Sequence, residues 1–249
     1  MREARKLRTA GQGLGFGEVL DAGFQVYRAA FWQLALVQAI VAVPVAIIQA
    51  VWLPAELPTS PMEALNLFAA HAPVTLLIGV LGILQAGAVA VVAEQGARGT
   101  GLNALQAYKQ TLSRFPELLG FGLAYAVLIG LGFAIVIIPG IVVAVWLSQG
   151  LFLIVLERRG ILQGAMESYR LVAGRFWRVV GIAVVAYLMV TIVSLLVAIL
   201  IPVGAAHGGI SAAITTMVQI LIGSFPLVAL YIQFRELRRT AGTANWVHD

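Results

Sequence analysis

The sixteen lysines and arginines of this chain fall into five short stretches, and apolar runs of membrane-spanning length separate them. The stretches are a tail with Arg2, Arg5, Lys6 and Arg8, then Arg28, then residues 98–114, 158–178 and 235–239; residues 52–71, 139–140 and 202–211 contain neither lysine nor arginine. Cytoplasmic loops keep the positive charge, so alternate connections are expected inside, with both termini cytoplasmic. In hydrocarbon every backbone N–H and C=O must be satisfied within the protein, which leaves helices as the elements for apolar runs of this length.

A bilayer core about 30 Å thick takes about twenty helical residues per crossing. Six segments meet that length: Phe31 to Leu53, Pro73 to Gln95, Glu117 to Ile137, Gly140 to Leu156, Trp177 to Ile201 and Ser211 to Phe234. The third and fourth share only Ile138, Pro139 and Gly140 between them, so a re-entrant hairpin stays open beside two full crossings. Composition gives the same class. With 61% hydrophobic and 11% charged residues the chain lies far from a soluble domain at roughly 45–50% apolar and about 25% charged.

The net charge of +5 would suit nucleic acid in a soluble protein, but these cations flank apolar spans and match anionic inner-leaflet lipid. No nucleic-acid partner is expected. The absence of cysteine excludes disulfides, thiolate metal sites and thiol nucleophiles. The basic N-terminus is not read as a signal peptide, because about twenty mostly polar or small residues precede a first apolar run longer than a secretory core. Gly11, Gly13, Gly15 and Gly17 have no preceding strand and no βαβ unit, so they are read as a lead-in and not a phosphate loop.

Internal repetition is the next signal. Placing Phe31, Phe115 and Phe176 in register also aligns Gly15, Gly99 and Gly160, then Phe24, Tyr108 and Tyr169. In the first copy Phe16, Leu20, Phe24, Tyr27 and Phe31 step at helical spacing; in the third Ile161, Ala165, Tyr169, Val172 and Phe176 repeat those steps, and Leu105, Tyr108, Leu112 and Phe115 form a looser stripe in the second. Three amphipathic helices are therefore expected along the cytoplasmic interface, apolar stripe toward the membrane. The resulting fold class is an all-α integral membrane protein of six transmembrane helices in three pseudo-repeats, each an interfacial amphipathic helix plus a helical hairpin. A basic tail (1–14) precedes one membrane domain (15–240, repeats about 15–98, 99–159 and 160–240), and a C-terminal tail (241–249) follows.

Ile138-Pro139-Gly140-Ile141, Leu156-Glu157-Arg158-Arg159-Gly160 and the run from Ala165 to Trp177 with Ser168, Tyr169, Arg170, Leu171, Gly174, Arg175 and Phe176 resemble the membrane domain attached to some bacterial glycerophosphodiester phosphodiesterases. The chain is also similar there to stand-alone YciC-like inner-membrane proteins. The resemblance implies a prokaryotic plasma-membrane protein. It does not bring the phosphodiesterase activity, which in those enzymes belongs to a separate soluble barrel for which this chain has no room.

Catalytic constellations are scarce. His71, His207 and His248 have no metal-ligand spacing, and neither they nor Glu56 and Glu63 compose a ligand set. Ser148, Ser194, Ser211 and Ser224 lack a nucleophile-elbow context. No enzyme activity, metal or other cofactor is expected. Glu94 and Glu157 close the second and fourth spans and are candidates to pair with Arg98, Arg158 or Arg175, while Glu236 ends the sixth. Gln38, Gln85, Gln149 and Gln219 enter four different spans, as interhelical glue at about 0.6 kcal/mol apiece or as a polar lining. Gly122, Ala126 and Gly130 form a small-residue ridge for a close helix neighbour or a second copy, and Pro44 and Pro226 are expected to kink their spans.

These observations favour a non-enzymatic protein that binds or organises anionic phospholipid through Arg28, Arg98, Lys109, Arg114, Arg158, Arg159, Arg170, Arg175 and Arg178. The alternative is a small-solute or lipid permease with a cavity between the repeats. Phospholipid is the expected partner in either case, with a second copy or another membrane protein left open.

Overall fold

The structure is a computed structural model that describes residues 14–52, 60–101, 103–135, 137–200, 218 and 220–244. Among these no strand occurs, and the helices run α1 (Phe16–Ala29), α2 (Phe31–Trp52), α3 (Pro61–Arg98), α4 (Ala104–Leu112), α5 (Phe115–Ile135), α6 (Ile137–Leu147), α7 (Gly150–Val155), α8 (Ile161–Ala173), α9 (Phe176–Leu200) and α10 (Phe225–Ala244). Six apolar stretches are long enough to cross a bilayer: Phe31–Ile48, Ala70–Arg98, Phe115–Phe133, Ile138–Val155, Phe176–Leu196 and Ile220–Ala241. The chain is an all-α, multi-pass membrane protein.

Local chemistry explains the boundaries. Ser60 accepts the Glu63 N–H ahead of Pro61, so α3 begins well before the expected Pro73 and carries that proline inside the helix. Asn103 accepts the N–H groups of Leu105 and Gln106 at the start of α4. Gly99 ends α3 in the left-handed region at φ 66, where glycine carries no Cβ penalty. Arg158, three residues beyond the end of α7, is also left-handed at φ 57, a conformation that costs a side-chain-bearing residue about 1 kcal/mol or more.

One expectation needs correction. Pro226 is the second residue of α10, directly after a turn at residues 223–224 that interrupts the sixth apolar stretch, Ile220–Ala241; in a first helical turn its missing N–H forfeits no intrahelical bond, so the span is broken ahead of the proline and not bent at it. Residues 211–217 and Gln219, at the start of the expected sixth span, lie outside the described residues, and the described apolar stretch runs from Ile220 to Ala241. The third and fourth apolar stretches have 19 and 18 residues, or about 27–29 Å each, enough for two crossings. Their tip closes on a Gly132–Gly140 contact so tight that a Cβ on Gly132 would lie 2.6 Å from the Gly140 Cα.

The even-numbered spans form an inner ring and the odd-numbered ones an outer ring. In the first, third and fifth spans 17–22% of residues are buried, against 39–67% in the others. The inner core lies toward the basic ends: residues 88–93 of α3, 152–155 of α7 and most of 225–237 of α10 are buried. Phe152 packs on Tyr231 and Phe234 to join α7 to α10.

Each short helix folds antiparallel onto the basic half of an inner span. On α3, α4 sets Thr111 against Gly87 while the Asn103 N–H reaches Gln95. On the fourth span, α8 sets Gly164 against Ile154, and Ser168 donates to the Trp146 carbonyl (2.6 Å) and accepts the Gln149 N–H (3.2 Å), stitching the break between α6 and α7. The remaining short helix, α1, packs on α10, far away in sequence: Leu14 meets Glu236, Gly23 meets Ala229, and Tyr27 donates to the Leu221 carbonyl and packs on Phe225. The last inner span is thereby capped by the first short helix, which closes the arrangement into a ring.

The buried face of these helices takes only part of the expected stripe, Tyr27, Tyr108 and Val172, and joins it to smaller residues. In α1 it is Val19, Gly23 and Tyr27, in α8 it is Gly164, Ser168 and Val172, and in α4 it is Ala104, Ala107, Tyr108 and Thr111. Small residues win the inner face because they let two helix backbones approach; Phe16, Phe24, Leu105, Leu112 and Tyr169 are left exposed. On the expected ridge of α5, Gly122 packs against Ile83, whereas Ala126 and Gly130 face outward.

Candidate functional site

The nine cations expected to meet lipid divide into two groups. Arg28, Lys109, Arg158 and Arg170 are exposed and make no ion pair among the described residues. The other five are engaged. Arg98 pairs with Glu94 (2.5 Å), Arg114 with Glu117 (3.3 Å), and Arg159 with Glu167 (3.1 Å). Arg175 donates to the Thr240 hydroxyl and Arg178 to the Leu14 carbonyl, pins that hold α9 to α10 and to the start of α1. The pairing expected of Glu157 with Arg158 or Arg175 is not found. Its partner is Arg238, whose Nε lies 2.6 Å from Oε1 and whose Nη2 meets Oε2.

A cavity of about 690 Å³ opens where the basic ends of the inner spans meet α1. Each inner span contributes one carboxylate to its wall: Glu94 from α3, Glu157 just beyond α7 and Glu236 from α10. Glu236 is almost fully buried, yet its carboxylate accepts the Leu14 N–H (2.8 Å) and pairs with Arg239 (3.4 Å), so it stays compensated. Arg238 also reaches Glu167 at 3.4 Å, and Arg159 approaches Glu157 at 3.9 Å, which makes a four-member network across α7, α8 and α10. Pairs with an exposed partner, such as Arg98 on half-buried Glu94, contribute about 0–1 kcal/mol. The half-buried bidentate Arg238–Glu157 pair holds its geometry more firmly.

Arg235 differs from its neighbours. It lines the cavity with no carboxylate partner among the described residues; its guanidinium reaches the Ala97 carbonyl at 3.4 Å, and Tyr231, Glu94 and Arg98 line the same cavity.

Of the glutamines, Gln38 and Gln149 are buried, Gln85 is half-buried, and Gln219 lies outside the described residues. Gln149 sits at the helix break, its amide donating to Ser148 (3.0 Å) while its Oε1 has no partner. Gln233 of α10 is buried with neither amide atom paired. His207 and Glu56 lie outside the described residues, whereas His71 is part of α3.

Sequence reasoning missed Arg235, Arg238 and Gln233, because a charged helix end after an apolar run reads as a solvated flank. A signal was present: Glu94, Glu157 and Glu236 each close an even-numbered span, and such convergence is what a ring of inner helices produces. Tyr27 and Tyr108 hold α1 and α4 in place; Tyr108 donates to the Val37 carbonyl (2.8 Å), and burial pushes both phenols up to about 12. Compared with family models, curated proteins and solved structures, the chain matches none.

Proposed function

We propose that the protein is a non-enzymatic membrane protein that gathers anionic phospholipid around its basic end, in a prokaryotic plasma membrane with both termini cytoplasmic. The observation that carries this reading is the exposed side of the short helices. Arg28, Lys109, Arg158 and Arg170 lie unpaired on or beside them, along with exposed Phe24, Leu105, Leu162 and Met166. Trp32 and Trp177, 78% and 81% exposed, open the spans that follow α1 and α8, and indole rings favour the headgroup level. Cations beside apolar anchors match a surface in which each basic residue gains about 1 kcal/mol from leaflet charge. The recurring order of short helix, span and span, with equivalent buried positions, supports three internal repeats, and the resemblance over residues 138–177 supports the same membrane-domain reading.

Neutralising Arg28, Lys109, Arg158 and Arg170 together to Gln is expected to leave the fold intact and to strip most co-purifying anionic lipid, read by native mass spectrometry. Unchanged lipid retention would sink the reading. Arg175 and Arg178 are poor choices for that test, since their loss also unpins α9.

A permease is the second reading, favoured by the cavity and by the unpartnered amides of Gln149 and Gln233. It requires solute or lipid flux in proteoliposomes that Gln149→Leu abolishes.

A further inference from the structure

We propose that the cavity at the meeting point of the inner spans binds one phosphodiester headgroup that carries an amine, with Arg235 and Arg98 on the phosphate and Glu94 on the ammonium. This rests on the reading that the basic end lies at the membrane surface, but it uses none of the exposed cations of the belt.

The wall holds Arg98, Arg235, Arg238 and Arg239 against Glu94, Glu157 and Glu236. Arg238 is held by Glu157, and Arg239 by Glu236. That leaves Glu94, Arg98 and Arg235, an arrangement with one cation in excess, in the same wall as Tyr231 and with Arg235 on the Ala97 carbonyl one residue from Arg98. A purely anionic ligand would meet three carboxylates in the same wall, and a purely cationic one would meet four guanidinium groups. A ligand bearing phosphate and ammonium a few bonds apart satisfies both signs at once.

An exchange of partners makes room for it. Glu94–Arg98 is a one-turn pair in which the Arg98 side chain is 63% exposed and Glu94 is half-buried, so the arginine can leave it at little cost. An ammonium inserted at Glu94 frees Arg98 to turn, with Arg235, onto the phosphate, where guanidinium forks bind bidentately. One internal charge contact is replaced by three to the ligand, and the Tyr231 hydroxyl can add a donor. The remaining wall is apolar, including Leu14, Ala22, Val26 and Leu156, which suits a glycerol backbone. A volume of about 690 Å³ falls within the roughly 300–1,000 Å³ of small-molecule sites.

The same chemistry could arrive as a membrane lipid or as a soluble glycerophosphodiester. The test uses the full chain in nanodiscs of equal parts phosphatidylethanolamine and phosphatidylglycerol, with the lipid retained on release read by native mass spectrometry. Wild type is expected to retain phosphatidylethanolamine preferentially, and Arg235→Gln and Glu94→Gln each to lower that retention about tenfold, the loss of one charge-assisted contact. Equal retention in wild type and both variants overturns the proposal, as does preferential retention of phosphatidylglycerol at the site. Competition by soluble glycerophosphoethanolamine separates the sources: displacement assigns the site to the soluble diester, and no displacement assigns it to the lipid. Arg235→Lys, which keeps the charge, and an unchanged unfolding midpoint for Arg235→Gln show that lost retention is not lost folding. The belt variant is expected to keep phosphatidylethanolamine. If it sheds anionic lipid while Arg235→Gln changes nothing, the belt stands and the cavity site falls; the reverse result sinks the belt alone.

Discussion

The basic half of the bundle and its opposite half are built from the same residues and packed in different ways. Toward the basic end, residues 88–93, 152–155 and 228–234 are buried almost without interruption. Toward the other end of the same inner spans, Leu76 and Leu77 of α3, Ile138 and Ile141 of α6 and Leu221 just before α10 are exposed. Lipid tails are as apolar as leucine, so hydrophobicity alone drives neither half to pack. The difference comes from close approach: Gly23, Gly87, Gly150 and Gly164 meet neighbours in the basic half, while Gly79, Gly82 and Gly130 meet nothing. The Gly132–Gly140 contact at the hairpin tip is the exception.

That contrast is broken most sharply by glycine. Gly150→Val would drive a side chain into the Phe121 ring and is expected to cost about 3 kcal/mol. Gly130→Val, in open surroundings, should cost under about 1 kcal/mol. Equal losses in detergent unfolding would show that the two halves are packed alike.

Alkaline pH is the next lever. Tyr27 and Tyr108 ionise near 12 when docked and near 10 when released. A phenol raised on folding contributes stability that is complete below pH 10 and lost as pH rises through 12. At pH 11 the loss is about 1.4 kcal/mol per tyrosine. Helix release between pH 10 and 12, followed by proteolysis after α1 and α4, should shrink in Tyr27→Phe and Tyr108→Phe.

Arg238→Gln breaks the link from α10 to Glu157 and Glu167. A loss of about 1–2 kcal/mol is expected, since two half-buried carboxylates lose a shared partner. Arg114→Gln, which breaks an i,i+3 pair, should change stability by under about 0.5 kcal/mol. One change is expected to act in the opposite direction: Arg158→Gly relieves a left-handed backbone and should stabilise by a few tenths of a kcal/mol, about 0.3, while removing one belt cation. A stabilised variant with weakened lipid retention would argue that the strained arginine is kept for binding.

Much of the fold was legible in the residues. The six spans and three short helices follow from apolar length and helical spacing, and the aligned Phe31, Phe115 and Phe176 mark the junctions where α2, α5 and α9 begin. The inner face of the short helices was not legible, because Gly23, Ala107 and Ser168 matter through what they allow a neighbour to do. The candidate site was half legible: the cations were visible, but separating Arg28, Lys109, Arg158 and Arg170 from the engaged arginines required knowing which carboxylates face them.

The sequence by itself determined that this chain spans a membrane by helices and which ends of those helices carry the charge, because the energetic demand of hydrocarbon is local and shows in every window of twenty residues. Tertiary structure alone decided which spans lie inside, which short helix caps which span, and that Glu94, Glu157, Glu236 and Arg235 share one cavity. These depend on contacts between residues such as Leu14 and Glu236, 222 positions apart, and in a chain apolar on nearly every face no periodicity distinguishes a surface that meets protein from one that meets lipid.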